Sequence, residues 1–178
     1  VWRLIMIKAM KWWLNTDIKI EGELPSKDKV VIYAIKHQSA WETVFCTDFF
    51  SMPSIVLKKA LIFLPVIGLY FLRSGAIPIT RDQGINALKK MGRNAKIAVK
   101  KNRSMMIFPQ GTRVSPGVSS KEKPYLPGVF FLYSQTKVPV VPVAHNAGLI
   151  WPKNSFIKYP ERLSSKSVTL KILPEIPP

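Results

Sequence analysis

The chain is poor in the residues that build covalent or metal-held scaffolds. Among 178 residues there is one cysteine, Cys46. An internal disulfide framework and a cysteine-rich zinc site are therefore both excluded. The two histidines, His37 and His145, are distant in sequence and have no carboxylate cluster beside them, so no metal site is expected. Acidic residues are also scarce. Ten Asp and Glu stand against 27 Lys and Arg, leaving a net charge of +17. Long apolar runs are missing too. The longest, residues 60–72, contains Pro65 and Gly68 and falls short of the ~20 residues a spanning helix needs. It reads as a buried or interfacial segment. Arg3, Lys8 and Lys11 interrupt the opening apolar stretch, so a secretory signal is not expected. A start at Val1 instead of Met leads us to expect a segment of a longer protein.

What is present is a substantial core. Hydrophobic residues make up 47% of the chain, which rules out wholesale disorder, and the length suits a single domain. The charge calls for a polyanionic partner: nucleic acid, an anionic membrane surface or a phosphorylated substrate. Residues 1–15 read as an amphipathic helix, with Arg3, Lys8, Lys11 and Asn15 in one arc and Trp2, Ile5, Met6, Ala9 and Trp13 largely outside it. Trp and Ile opposite Lys and Arg suit a membrane interface, and docking on the domain's own core fits equally well. Residues 16–29 read as a turn-rich connection. Strands are expected at 30–35, 55–57, 76–79, 104–108, 138–144 and 168–173. Pro139 and Pro142 direct the fifth of these toward an edge or an irregular ladder. Helices are expected at 39–50, with Ser39 as N-cap and Glu42 completing a capping box, and at 60–72, broken at Pro65. Two more are expected at 84–101, with Ile85, Leu88, Met91, Ala95 and Val99 on one side, and at 128–137. Residues 114–127 read as a loop. This alternation points to an α/β domain with a mixed, mostly parallel sheet flanked by helices.

Three segments carry chemistry. In Lys36-His-Gln-Ser-Ala-Trp-Glu42, His37 follows a buried strand and Glu42 comes five residues later. A turn between strand and helix lets the two meet, and a carboxylate on one ring nitrogen raises basicity at the other. A structural histidine with Glu42 as a mere capping carboxylate fits the same residues. In Phe108-Pro-Gln-Gly-Thr-Arg113, Gly111 permits close backbone approach, Thr112 offers a hydroxyl and Arg113 a fork suited to phosphate. An ordinary turn with a solvated arginine is the alternative. Gly75-Ala-Ile-Pro-Ile-Thr-Arg81 again places an arginine after a strand, where α/β sheets bind ligands, so the two arginines either converge on one anion or are independent surface residues.

Taken in order, these segments resemble the acyltransferase family that contains lysophosphatidic acid acyltransferases and glycerol-3-phosphate acyltransferases. The first motif of that family is His, four residues, then Asp; here Glu42 replaces Asp. Its third is usually Phe-Pro-Glu-Gly-Thr-Arg; here Gln110 replaces Glu. The second is similar to residues 75–81, and the fourth, an apolar run around proline, matches Val138-Pro-Val-Val-Pro-Val143. The resemblance covers residues 30–145 and implies a glycerol-3-phosphate acyltransferase-like fold. With the pattern of the opening residues, it leads us to expect an amphipathic interface helix, 1–16, and an acyltransferase domain, 17–178.

It also implies roles. His37 would be the general base on the free hydroxyl of lysophosphatidic acid, or of glycerol 3-phosphate or another lysophospholipid, with Glu42 orienting it. Arg113, Lys58 and Arg81 would bind the acceptor phosphate, with Lys59 the alternative to its neighbour Lys58. Gln110, Gly111 and Thr112 would form the acceptor-site loop, and Val140 and Pro142 the apolar side. Acyl-CoA or acyl carrier protein would be co-substrate, with no other cofactor. The product would be phosphatidic acid, made at an anionic membrane surface on the cytoplasmic face of a bacterial inner membrane. Nucleic acid is not an expected partner. Phe45, Phe49, Phe50 and Phe63 sit in apolar runs and do not interleave with Lys and Arg as a stacking platform would. A non-catalytic, membrane-binding relative is the remaining alternative, on account of Glu42 and Gln110.

Overall fold

The computed structural model describes residues 5, 8, 12, 16–65, 67–80, 83–155, 158–159, 162 and 167–178. The expected helix at 1–15 therefore lies outside the described residues, except for Ile5, Lys8 and Trp12, which are helical and exposed. The elements run β1 (Asp17–Glu21), β2 (Ile32–Ile35), α1 (Trp41–Phe49), β3 (Ser54–Lys58), a 3-10 helix (Lys59–Phe63) and α2 (Ile67–Arg73). They continue with β4 (Ile77–Ile79), α3 (Ile85–Lys100), β5 (Met105–Ile107), α4 (Gly128–Thr136), β6 (Val140–His145), α5 (Ala147–Ile150) and β7 (Ser167–Ile172).

One seven-stranded sheet, ordered β1-β7-β6-β2-β5-β3-β4, forms the centre. All neighbours are parallel except β6 and β7, which are antiparallel. A parallel sheet needs crossovers on its faces, and the strands then read as continuous apolar runs. β2 shows this: Ile32 and Ile35 are fully buried and Tyr33 nearly so. Strand alternation sends Tyr33, Ile35, Ile55, Leu57 and Met106 into one core with Trp41, Phe45 and Phe71. Ile32, Val56, Met105 and Ile107 enter a second core with Met91 and Ala95 of α3 and Leu132 of α4. Helices α1 and α2 thus cover one face, and α3 and α4 the other.

The helix 60–72 divides near Pro65 as expected, into the 3-10 helix and α2. Four expectations are corrected. Residues 17–21 form an edge strand paired with β7 from Asp17↔Ser167 to Glu21↔Lys171, in place of a turn-rich connection. Its charged residues mask a short alternating pattern. β6 is internal, between β7 and β2, which corrects the edge placement, while the irregular ladder holds: pairing from Val143↔Ile172 to His145↔Leu170 resumes at Val140↔Ile176 one residue out of register. The Pro142 carbonyl accepts a bond from the Leu173 N–H at 3.0 Å, and the donor that proline lacks falls on that same side, past the end of β7. The cap position of helix α1 falls on Ala40, one residue after Ser39, although the Ser39 oxygen still accepts the Trp41 N–H at 3.0 Å and Glu42 still accepts the Ser39 N–H. In α3 the buried stripe runs through Ala87, Met91, Ala95 and Ala98, while Ile85 is exposed.

Gly22 follows β1 with φ +86°, and a Cβ there would fall 2.0 Å from the Ile172 carbonyl oxygen. Gly117 has φ +88° with nothing within 4 Å of such a Cβ. Substitution by alanine costs about 1 kcal/mol at either position from backbone conformation alone. Gly22→Ala must in addition displace the β7 backbone. Urea unfolding should therefore show a clearly larger loss of stability for Gly22→Ala than for Gly117→Ala. Equal losses would contradict this packing of β1 on β7.

Candidate active site

Parallel pairing puts the carboxyl ends of β2, β3, β5 and β6 on one edge of the sheet. His37 follows β2, Lys58 ends β3, residues 108–113 follow β5 and His145 ends β6. This is where such sheets place their ligands.

Glu42, in the first turn of α1, organises the cluster. Its side chain is completely buried. Oε1 accepts the backbone N–H groups of Gln38 at 2.7 Å and Ser39 at 2.8 Å, and lies 2.7 Å from His37 Nδ1. Oε2 accepts the Ser39 hydroxyl at 2.6 Å. The Ser39 oxygen in turn accepts the Trp41 N–H at 3.0 Å. The chain between strand and helix is thus folded around one carboxylate, which carries His37 back over five residues. Both readings of Glu42 hold together: it caps the helix start and it orients the imidazole.

Burial pushes the Glu42 carboxyl up. The hydrogen bond from His37, the nearness of both imidazoles and the Ser39 hydroxyl outweigh that push, and the group sits below its ordinary 4.5. An ionised Glu42 can only accept, so His37 carries its hydrogen on Nδ1 and leaves Nε2 free to take a proton. The ring stacks on Phe108 with centroids 3.9 Å apart and planes 14° apart. The Val114 N–H donates to the His37 carbonyl at 2.8 Å, tying the loop after Arg113 to the loop that carries His37.

In the sequence, His145 suggests nothing beyond a metal ligand without partners. In the fold its Nε2 donates to the Lys36 carbonyl at 2.6 Å, its Nδ1 accepts the Ala147 N–H at 3.2 Å, and Nε2 lies 3.8 Å from Glu42 Oε2. Burial holds this imidazole below the ordinary 6.5 against the pull of Glu42. A neutral ring therefore braces both the carboxylate and the residue before His37. The signal in sequence is faint: a histidine at the end of a buried strand, 108 residues downstream. Among the described residues, no group of three His, Cys, Asp or Glu side chains is placed to hold a metal ion.

His37 opens onto a cavity of about 280 Å³ whose walls are mainly apolar. Ile55, Leu57 and Phe71 contribute from one side, and Leu88, Met91 and Ile107 from the other. Lys58 and Gly111 also line it. Thr112 and Arg113 line a neighbouring polar hollow with Lys123 and Lys153, and Arg113 Nη2 donates to Asn154 Oδ1 at 3.2 Å. Gly111 has φ +65° and its N–H bonds the Phe108 carbonyl at 2.9 Å, so a glycine is favoured at this turn.

Gln110 is buried. Its Nε2 donates to the Lys123 carbonyl at 3.3 Å, while Oε1 has no partner among the described residues. A carboxylate here would face that carbonyl, so the amide suits this chain's own loop. The structure does not bring Val140 or Pro142 to the cavity, a correction to the expected apolar side: Val140 packs in the core beneath α3 and α4. The cavity's apolar walls come instead from β3, β5, α2 and α3. Arg81 lies outside the described residues.

A depressed carboxyl contributes stability that is present above its unfolded value near 4.5 and disappears as pH falls through the lower folded value. At neutral pH, Glu42→Gln should cost about 2–3 kcal/mol through the loss of charge-assisted hydrogen bonds. The difference from the unaltered chain, measured by urea unfolding, should shrink as pH falls from about 6 to about 3. A difference independent of pH would show that Glu42 is not held ionised.

The sequence model of the Acyltransferase family matches residues 17–146. A 1-acyl-sn-glycerol-3-phosphate acyltransferase of Pseudomonas aeruginosa is 39% identical over 160 residues, covering 90% of this chain and 59% of that protein. The protein of the same name from Saccharomyces cerevisiae is 29% identical over 148 residues, 82% of this chain and 48% of its own. The crystal structure of the 1-acyl-sn-glycerophosphate (LPA) acyltransferase from Thermotoga maritima matches with a TM-score of 0.71 at 24% identity, over 98% of this chain and 70% of that one. That likeness bears out the α/β fold. The chain spans less than two thirds of the length of the curated relatives it matches.

Proposed function

We propose, from the premise that this chain belongs to the acyltransferase family, that it moves a fatty acyl group from a thioester to the free hydroxyl of lysophosphatidic acid, giving phosphatidic acid. The observation that carries the reading is the 2.7 Å contact between His37 Nδ1 and the buried Glu42, at the mouth of a mainly apolar cavity. The names of the relatives support the choice of acceptor.

His37 Nε2 takes the proton of the acceptor hydroxyl as its oxygen attacks the thioester carbonyl carbon. Glu42 stabilises the imidazolium so formed. The tetrahedral intermediate collapses with cleavage of the carbon–sulfur bond, and the imidazolium proton passes to the leaving thiolate. An ester and a free thiol result, and His37 returns to its starting state. No acyl-enzyme is required, consistent with Ser39 being committed to Glu42 and Cys46 being buried. The cavity beyond His37 accommodates an acyl chain, and burial of apolar surface there supplies binding.

Lys58 at the cavity and Arg113 in the adjoining hollow are the phosphate ligands in this reading, with Arg81 in the same role. The Arg113 fork suits a phosphate better than a point charge does. The donor is acyl-CoA or acyl carrier protein. The net charge of +17 supports an anionic membrane as the working surface, on the cytoplasmic face of a bacterial inner membrane. Among the described residues, no helix is long and apolar enough to cross a membrane.

The test is release of free thiol from acyl-CoA or acyl carrier protein, with and without lysophosphatidic acid in micelles. Release should depend on the acceptor and fall by about 10²–10⁴-fold in His37→Ala. Release that ignores the acceptor, or that survives His37→Ala unchanged, would refute the reading.

A further inference from the structure

The 3-10 helix and α2, between β3 and β4, form a helical hairpin that displays apolar side chains to solvent. Its two arms meet at backbone distance: a Cβ on Gly68 would fall 1.9 Å from the Ile62 carbonyl oxygen. The Gly68 N–H donates to the Leu64 carbonyl at 2.8 Å, closing the bend. The inner side is anchored, with Phe71 buried and Ile62 and Tyr70 packed on the core. The outer side is not. Phe63 is 76% exposed, Leu69 66%, Leu72 55% and Leu64 42%. Leu69 and Leu72, three apart on α2, share one helix face. Scattered exposed leucines are ordinary, but four large apolar side chains on one short hairpin form a patch that calls for a partner.

Charge indicates which partner. The hairpin contains no acidic residue, and Lys58, Lys59 and Arg73 are exposed at its base. A second copy of the chain docked on this patch would bring these cations together. An anionic bilayer would instead offer acyl chains to the tip and headgroup phosphates to the base. The hairpin also adjoins the site, since its Leu61 lines the cavity that holds His37.

We propose that the 59–73 hairpin docks on an anionic bilayer, with Phe63, Leu64, Leu69 and Leu72 entering the acyl-chain boundary and Lys58, Lys59 and Arg73 lying at the headgroups. This deepens the functional reading and rests on its bilayer-borne acceptor. An acceptor lipid can then pass from the leaflet to His37 along Leu61 without exposing its acyl chain to water.

Single cysteines in Phe63→Cys, Leu69→Cys and Lys96→Cys would be labelled with an environment-sensitive fluorophore. Cys46 is buried, and burial pushes its thiol well up, so it stays unlabelled. Lys96 is exposed on α3, across the sheet from the hairpin. Vesicles of phosphatidylcholine with roughly 30% phosphatidylglycerol should brighten the labels at 63 and 69 and leave that at 96 unchanged. Vesicles of phosphatidylcholine alone should do less. The chain carrying Phe63→Glu with Leu69→Glu should co-sediment with the anionic vesicles at least about tenfold less well. It should still act on a soluble short-chain lysophosphatidic acid at the unaltered rate. Three results would overturn the proposal: no binding to anionic vesicles, binding without a change at 63 and 69, or brightening that needs only a higher protein concentration. Turnover plays no part in the vesicle measurements, so a chain that binds as described but transfers no acyl group would refute the enzymatic reading alone.

Discussion

Glu42 is the constraint on which the site depends. A carboxylate with no exposure is costly unless it is well hydrogen-bonded, and here two backbone N–H groups and one imidazole meet Oε1 and one hydroxyl meets Oε2. The same bonds define the turn from β2 into α1. Local folding and chemistry are therefore one arrangement: the residues that stabilise the anion are those that place His37. The extra methylene of glutamate relative to the family's usual aspartate is absorbed within that turn, since Oε1 still meets His37 Nδ1 at 2.7 Å.

The sheet supplies the second constraint. Motifs separated by scores of residues converge because β2, β3, β5 and β6 run parallel and finish on one edge. This much is legible in the sequence. The apolar runs that form β2, β5 and β6 have the continuous hydrophobicity that burial on both faces demands, and the candidate site residues lie at or just after their ends. His37 with Glu42 and Gly111 stand out in the sequence itself, because placement just after a strand is a local property, whereas Lys58, at the end of β3, is picked out only by the family resemblance.

What the sequence hides is non-local or weakly patterned. β1 is short, at the edge and half charged, so its pairing with β7 is decided by a partner about 150 residues away. The cavity walls come from α2 and α3 as well as from β3 and β5, and no sequence pattern states which faces will meet. The proline-containing run is instead drawn into the core at Val140. His145 is hidden because its role lies in bracing Glu42 and the Lys36 carbonyl, a contact that exists only once β6 lies beside β2.

The central claim is that a buried, ionised Glu42 sets the protonation of His37. The neutral forms of the two histidines of the chain should then be opposite tautomers. Glu42 requires the hydrogen of His37 on Nδ1, whereas His145 donates from Nε2 and accepts at Nδ1. Nitrogen-15 NMR of the imidazole rings, with His37→Ala to assign the signals, reads this directly. The account predicts an Nδ1–H ring for His37 and an Nε2–H ring for His145. An Nε2–H ring at His37 would contradict it, because the nitrogen facing the acceptor would then hold the proton it is required to take.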